Sequence, residues 1–157
     1  ENKIDYAQYL NSPTIGTHEY SITTEQYPSL IITPKSVTPE ITVFCYGGNL
    51  GACEEAVKEL FLEDEIFATI ICPTQIQPLN IAPVLESVKK TGKLVIIEEG
   101  PGFAALGSEL AAALAENGAV FQLARLSNHN IIPSSFKAEL NLLPEKQKIK
   151  NLIKKTI

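Results

Sequence analysis

Methionine is absent from these 157 residues, arginine occurs once, and cysteine occurs three times. Each scarcity excludes something. A complete translation product begins with methionine, so a chain that starts at Glu1 is expected to be a fragment, or a product whose start has been removed. One arginine, Arg125, in a chain of net charge -5 leaves little for phosphate contacts, so no nucleic-acid partner is expected. Cys45, Cys53 and Cys72 form no Cys-x-x-Cys pair and no cluster with histidine, which argues against zinc. They read as small core hydrophobes in a reducing, cytoplasmic compartment. No apolar run approaches the ~20 residues of a membrane helix. No signal peptide is visible, and no membrane partner is expected.

What is present suits one domain with a sizeable core, since 45% of the residues are hydrophobic. Residues 1–40 stand apart. They hold Tyr6, Tyr9, Tyr20 and Tyr27 together with Pro13, Pro28, Pro34 and Pro39. Proline fixes φ and removes a backbone donor, so this stretch reads as an extended linker or arm. Its one expected strand is Leu30–Thr33, and a helical period shows only over Ile4–Leu10.

Residues 41–157 form the regular part. Apolar, β-branched runs predict strands at Ile41–Tyr46, Ile66–Cys72, Lys93–Ile97 and Val120–Leu126. Helical periodicity predicts Asn49–Leu62, Ile81–Thr91, Gly107–Asn117, a short Pro133–Leu140 and a last helix from Pro144. Asn80 is placed to cap the second helix, Pro83 falls in its first turn, and Gly92 ends it. Strands alternating with helices imply an α/β fold, a mostly parallel sheet covered on both faces. The strand from the amino-terminal segment is expected at one edge, running antiparallel.

Several residues invite a chemical reading. Gly47-Gly48 follows a strand and opens a helix, the arrangement that cradles phosphates. The string Gly47-Gly-Asn-Leu-Gly51 matches neither a dinucleotide fingerprint nor a Walker loop, so a tight turn is the plainer expectation. Glu98-Glu99 ends a buried strand, at the sheet edge where ligands bind in open α/β folds. These carboxylates are read as structural, or as an interface ion pair, with Arg125 as partner. Cys72-Pro73 lacks the phosphatase spacing, because position 78 is Pro78, and no Gly-x-Ser-x-Gly elbow exists. His18 reads as a linker histidine. His129, in the loop Ser127-Asn-His-Asn130 after a strand end, is the better functional candidate of the two. Lys146, Lys148, Lys150, Lys154 and Lys155 of the last helix read as a solvated face.

A family resemblance emerges from the motifs in order: Tyr46-Gly47, Pro78-Leu79-Asn80, Ser87-Val-Lys-Lys-Thr-Gly92, Glu98-Glu99, Gly107-Ser108-Glu109, Arg125 and Ile131-Ile132-Pro133. From Ile41 onward the chain resembles the carboxy-terminal domain of transketolase-like thiamine-diphosphate enzymes. Within these it is most similar to the beta subunit of the 2-oxoacid dehydrogenase decarboxylase component. Two departures stand out. Gly102-Phe103-Ala104-Ala105-Leu106 replaces a Gly-Gly-Phe-Gly loop, and Asn130 replaces an aspartate.

The resemblance implies a five-stranded, three-layer α/β/α domain that supports subunit association and docking to the acyltransferase core. It implies a thiamine-pyrimidine-binding domain and an alpha subunit as partners, and a homodimer. Thiamine diphosphate and magnesium belong to the complete oxidoreductase; no cofactor, metal or catalytic residue is assigned to this chain, which is expected to be inactive alone. Two alternatives remain open. One is the same domain of a transketolase or deoxyxylulose-phosphate synthase. The other is a free-standing anion or nucleotide module using Gly47 and Gly48.

Overall fold

A computed structural model describes residues 16–128, 131 and 133–157. His129, Asn130, Ile132 and the Ile4–Leu10 period lie outside the described residues. Six strands form one sheet: β1 (His18–Ile22), β2 (Ser29–Pro34), β3 (Ile41–Cys45), β4 (Ala68–Pro73), β5 (Lys93–Pro101) and β6 (Gln122–Asn128). Their order across the sheet is β1-β2-β4-β3-β5-β6. The pairs β3–β4, β3–β5 and β5–β6 are parallel; β1–β2 and β2–β4 are antiparallel.

The α/β class and the antiparallel edge are as the sequence indicates, but the sheet has one strand more than the five expected. The addition is β1, inside the stretch read as an arm. His18 pairs with Pro34 and Ile22 with Leu30, so β1 and β2 make a hairpin. The alternation of Tyr20 and Ile22 with polar neighbours is too short to announce a strand. It becomes one because β2 offers it an edge and both side chains pack on the core.

The helices are α1 (Leu50–Glu63), α2 (Ala82–Thr91), α3 (Leu106–Glu116), α4 (Phe136–Leu140) and α5 (Lys146–Thr156). From β3 the chain crosses left to β4 through α1, then right to β5 through α2 and right again to β6 through α3. Crossovers of one hand in opposite directions put their helices on opposite faces. Cys53, Ala56, Val57 and Leu60 of α1 and Ile149 and Ile153 of α5 pack on one face, against Val43, Ile70 and Val95. Val84, Val88, Leu110 and Leu114 of α2 and α3 pack on the other, against Phe44, Ile71 and Ile96. Each buried leucine or isoleucine contributes about 1.5–3 kcal/mol relative to an exposed one.

Local signals set the helix ends. Asn80 Oδ1 accepts the Ala82 N–H at 3.0 Å. Gly92 and Gly118, at φ +67° and +76°, take the left-handed conformation that ends α2 and follows α3.

Two sequence readings need correction. His18 is no surface linker residue; it is fully buried, edge-on to Phe61 of α1 with ring centroids 5.4 Å apart. The last helix presents Lys148, Lys154 and Lys155 to solvent as read, but Lys150 is buried and most of the set is held in ion pairs. Lys146 and Lys150 bind Glu59 at 2.6 and 2.8 Å, Lys150 also binds Glu63 at 2.9 Å, and Lys154 binds Asp64 at 2.7 Å. The cause is packing: Ile149 and Ile153 seat α5 beside α1, and Lys150 between them, with Lys146 before and Lys154 after, then meets the acidic side of α1.

Candidate functional site: the carboxyl end of the sheet

The sheet's strand order reverses at β3, whose neighbours β4 and β5 are reached by crossovers in opposite directions. Loops leaving β3 and β5 therefore diverge, at the kind of point where open α/β folds place ligands. The structure brings Gly47, Gly48, Glu98, Glu99 and Arg125 to this end. His129 lies outside the described residues, so nothing is said of its place.

Glu98 is the centre of the arrangement. Its side chain is wholly buried, while that of Arg125 is 22% exposed. Arg125 Nη2 donates to Glu98 Oε2 at 2.8 Å and to the Gly102 carbonyl at 2.9 Å. Nη1 donates to Ser108 Oγ at 2.9 Å. The other carboxylate oxygen, Oε1, accepts the Gly107 N–H at 2.7 Å, at the amino terminus of α3. A buried carboxylate is costly, but charge-assisted bonds and the positive end of a helix offset that cost. Register places this pair: Arg125 sits opposite Ile96 on the neighbouring strand, two residues before Glu98 on the same face.

Gly107 is required here by contact. A Cβ at that position would lie 2.6 Å from Glu98 Oε2 and 2.8 Å from Ile96 Cγ2. Sequence reasoning noted Gly107-Ser108 only as a helix opening and gave neither a role. It also passed over the side chain of Tyr46, whose hydroxyl is held above its ordinary pKa by partial burial and by the Glu98 carboxylate. A small residue nine positions after a buried acid was the available signal.

Glu99 takes a different position. Its Oε1 would be only 3.1 Å from a Cβ on Gly48, so the carboxylate rests against the turn that opens α1. Gly47 at φ +60° makes that turn, and Asn49 Nδ2 donates to the Tyr46 carbonyl at 3.3 Å. Where a phosphate-binding loop would present backbone N–H groups to an anion, the protein's own negative charge stands beside it.

This end therefore does not suit the thiamine diphosphate and magnesium implied by the resemblance. A diphosphate would meet the Glu99 carboxylate, and Arg125 is already committed to Glu98. Among the described residues no group of three or more His, Cys, Asp or Glu side chains is placed to hold a metal ion. The three cysteines are buried and unbridged. Contacts with Cys53 and Cys72, together with burial, hold the Cys45 thiol well above its ordinary pKa, the opposite of what a thiolate nucleophile needs. What the constellation does chemically is fix geometry: it ties β5, β6 and the start of α3 into one rigid corner.

Residues 32–149 match the family of the transketolase C-terminal domain. The chain belongs to that family. The pyruvate dehydrogenase E1 component subunit beta of Staphylococcus epidermidis is 31% identical over 121 residues, spanning 75% of this chain and 37% of that protein. The corresponding subunit of Rickettsia bellii is 35% identical over 96 residues, 59% of this chain and 30% of that one. The acetoin:2,6-dichlorophenolindophenol oxidoreductase subunit beta of Bacillus subtilis is 28% identical over 114 residues, 70% of this chain and 33% of its own. The chain thus spans well under half the length of these relatives.

Among solved structures, a split-gene transketolase in an inactive beta4 tetramer aligns with a TM-score of 0.67 at 21% identity. The alignment covers 76% of this chain and 40% of that one. That likeness is one of fold. For a transketolase C-terminal domain, the rigid corner at Glu98 and Arg125 is a structural feature of the sheet's carboxyl end. Among the described residues no helix is long and apolar enough to cross a membrane.

Proposed function

We propose that this chain is the carboxy-terminal assembly domain of a thiamine-diphosphate-dependent 2-oxoacid dehydrogenase beta subunit. It supports association with a thiamine-pyrimidine-binding domain and an alpha subunit, homodimerisation, and docking to an acyltransferase core. The observation that carries this reading is the relationship, over three-quarters of the chain, to the beta subunit of a pyruvate dehydrogenase. In this reading the domain contributes a rigid surface, and thiamine diphosphate with magnesium is held elsewhere in the cytoplasmic holoenzyme. The position of Glu99 against Gly48 supports that division of labour and speaks against a free-standing anion module. The transketolase alternative has likeness of fold behind it.

The test is to co-express the full gene product with the alpha subunit of a 2-oxoacid dehydrogenase from the same source. The expected result is a heteromer that decarboxylates a 2-oxoacid and requires thiamine diphosphate. A product that ignores the alpha subunit and turns over ketose phosphates instead would favour the transketolase reading.

A further inference from the structure

The sheet has two edges, and they are not alike. Among the described residues β1 pairs only with β2, and β6 only with β5. The outer side of an edge strand carries unpaired N–H and C=O groups, which pair with a further strand unless charge, proline or a cover prevents it. β1 is guarded: Glu19 and Ser21 stand exposed on it, and Glu19 is charged. β6 is not. Gln122–Asn128 include no proline and no lysine, and their one charged side chain, Arg125, is bound to Glu98 and Ser108. Leu123 on this strand is 41% exposed, and Val120 just before it 91%.

The backbone of β6 is arranged to accept a partner. The Gln122 N–H turns inward, to the Gly92 carbonyl at 2.9 Å. Peptide groups alternate sides along a strand, so the N–H groups of Leu123 and Arg125 point outward. Side chains alternate as well: Ala124 and Leu126 pack on the α5 side, while Arg125 reaches Ser108 of α3.

α5 supplies charge beside this edge. Lys148, Asn151, Leu152 and Lys155 recur at the three- and four-residue spacing of one helix flank. With Leu126 they line a groove of about 650 Å³. Leu126 and Leu152 are half-buried and form its apolar part, while Lys148 and Lys155 are exposed. Lys154, also on the rim, is taken up by Asp64 at 2.7 Å. Lys148 has one acid near it, Glu145 at 3.7 Å, and donates to the Asn141 carbonyl at 2.9 Å. Lys155 makes no ion pair or hydrogen bond among the described residues. Three lysines against two acids leave the groove positive in a chain of net charge -5.

We propose that β6 and this flank of α5 form a docking site for an extended, acidic segment of another polypeptide. Its main chain pairs with Leu123 and Arg125. Its carboxylates on the α5 side meet Lys148 and Lys155, and apolar residues on its other side rest on Leu123. This is strand addition, in which main-chain bonds supply affinity and alternate side chains supply specificity. A second copy of β6 is the wrong occupant, because its seven residues include no acid to meet the lysines.

The test titrates the peptide acetyl-Val-Glu-Val-Glu-Val-Glu-amide into the full chain labelled with ¹⁵N, with the same peptide carrying lysine in place of glutamate as its counterpart. The acidic peptide is expected to give saturable shifts in the amides of residues 122–126 and 148–155, and to slow hydrogen exchange at Leu123 and Arg125. The basic peptide should do neither. Lys148→Glu combined with Lys155→Glu reverses two exposed charges without touching the core. It should weaken the acidic peptide at least about tenfold and let the basic peptide bind, with the melting temperature unchanged. No saturation by the acidic peptide, equal binding of the two peptides, shifts without slowed exchange at Leu123 and Arg125, or an undiminished response in the double variant would each overturn the proposal. So would concentration-dependent shifts of the β6 amides without peptide, the mark of a second copy on this edge.

Discussion

The two faces of the sheet use ionic groups in different ways. On the α1–α5 face the charges form a ladder at the helix rims, where Lys146 and Lys154 are 38% and 42% exposed. On the α2–α3 face the one pair that matters, Glu98 with Arg125, is sunk at the end of the sheet with its acid fully buried. A rim pair sits in high dielectric, is screened by salt and contributes little. A buried pair is hard to remove because either partner left alone is uncompensated. The rim ladder thus orients two helices that the apolar core already holds together, whereas the buried pair determines whether a corner of the fold exists.

Removing the guanidinium should produce the largest effect. Arg125→Met leaves Glu98 buried beside one N–H donor and should cost about 3 kcal/mol in urea unfolding, the low end of the range for broken buried pairs because Arg125 keeps some solvent. The loss should be nearly independent of salt. A loss that vanished at ~1 M NaCl, where the Debye length is about 3 Å, would erase the distinction between the faces.

Gly107→Ala is expected to cost about 1–3 kcal/mol, since the new Cβ meets Ile96 and the Glu98 carboxylate. Gly51, with nothing within 4 Å of an added Cβ, is the control on the opposite face, and Gly51→Ala should be neutral or mildly stabilising.

The third test is acidification. Burial is the main cause that lowers the pKa of His18 from 6.5, with Lys58 adding to it. The folded state favours neutral His18 and the unfolded state binds its proton first. This contribution is therefore complete above about pH 6.5 and declines as the pH falls below it, until the folded-state pKa is passed. His18→Leu should flatten that part of the stability profile; a variant with the parental slope would place the titration elsewhere.

The smallest effects belong to the ladder. Lys146→Met and Lys154→Met should each lower the urea midpoint slightly at low salt and not at all in ~1 M NaCl. Lys150→Met should retain more of its effect, because Lys150 is 8% exposed and touches both Glu59 and Glu63.

Legibility followed the range of the interactions. The turn at Asn80 that leads into α2, the stop at Gly92 and the inward stripe of α1 all depend on residues within a turn or two, and the sequence displays them directly. The ion pair of Glu98 with Arg125 was foreseeable because both end apolar runs that a parallel sheet lays side by side. The edge strand β1 was not, because its five residues become a strand only against β2. Nor was the buried place of His18, which needs Phe61 of α1 beside it.

By itself, then, the sequence determined the alternation of strands and helices, the parallel block from Ile41 onward and the family to which it belongs. The alternation and the parallel block follow from hydrophobic period and turn residues, which act locally; the family follows from the resemblance of its motifs. Tertiary structure alone decided which of two adjacent glutamates pairs with Arg125 and which lies against Gly48. It also decided that the lysines of α5 meet acids some ninety residues earlier, and that Leu126 and Lys155 line one groove. These outcomes depend on the packing of one face against another, and pleat and register fix that packing only when the whole sheet has formed.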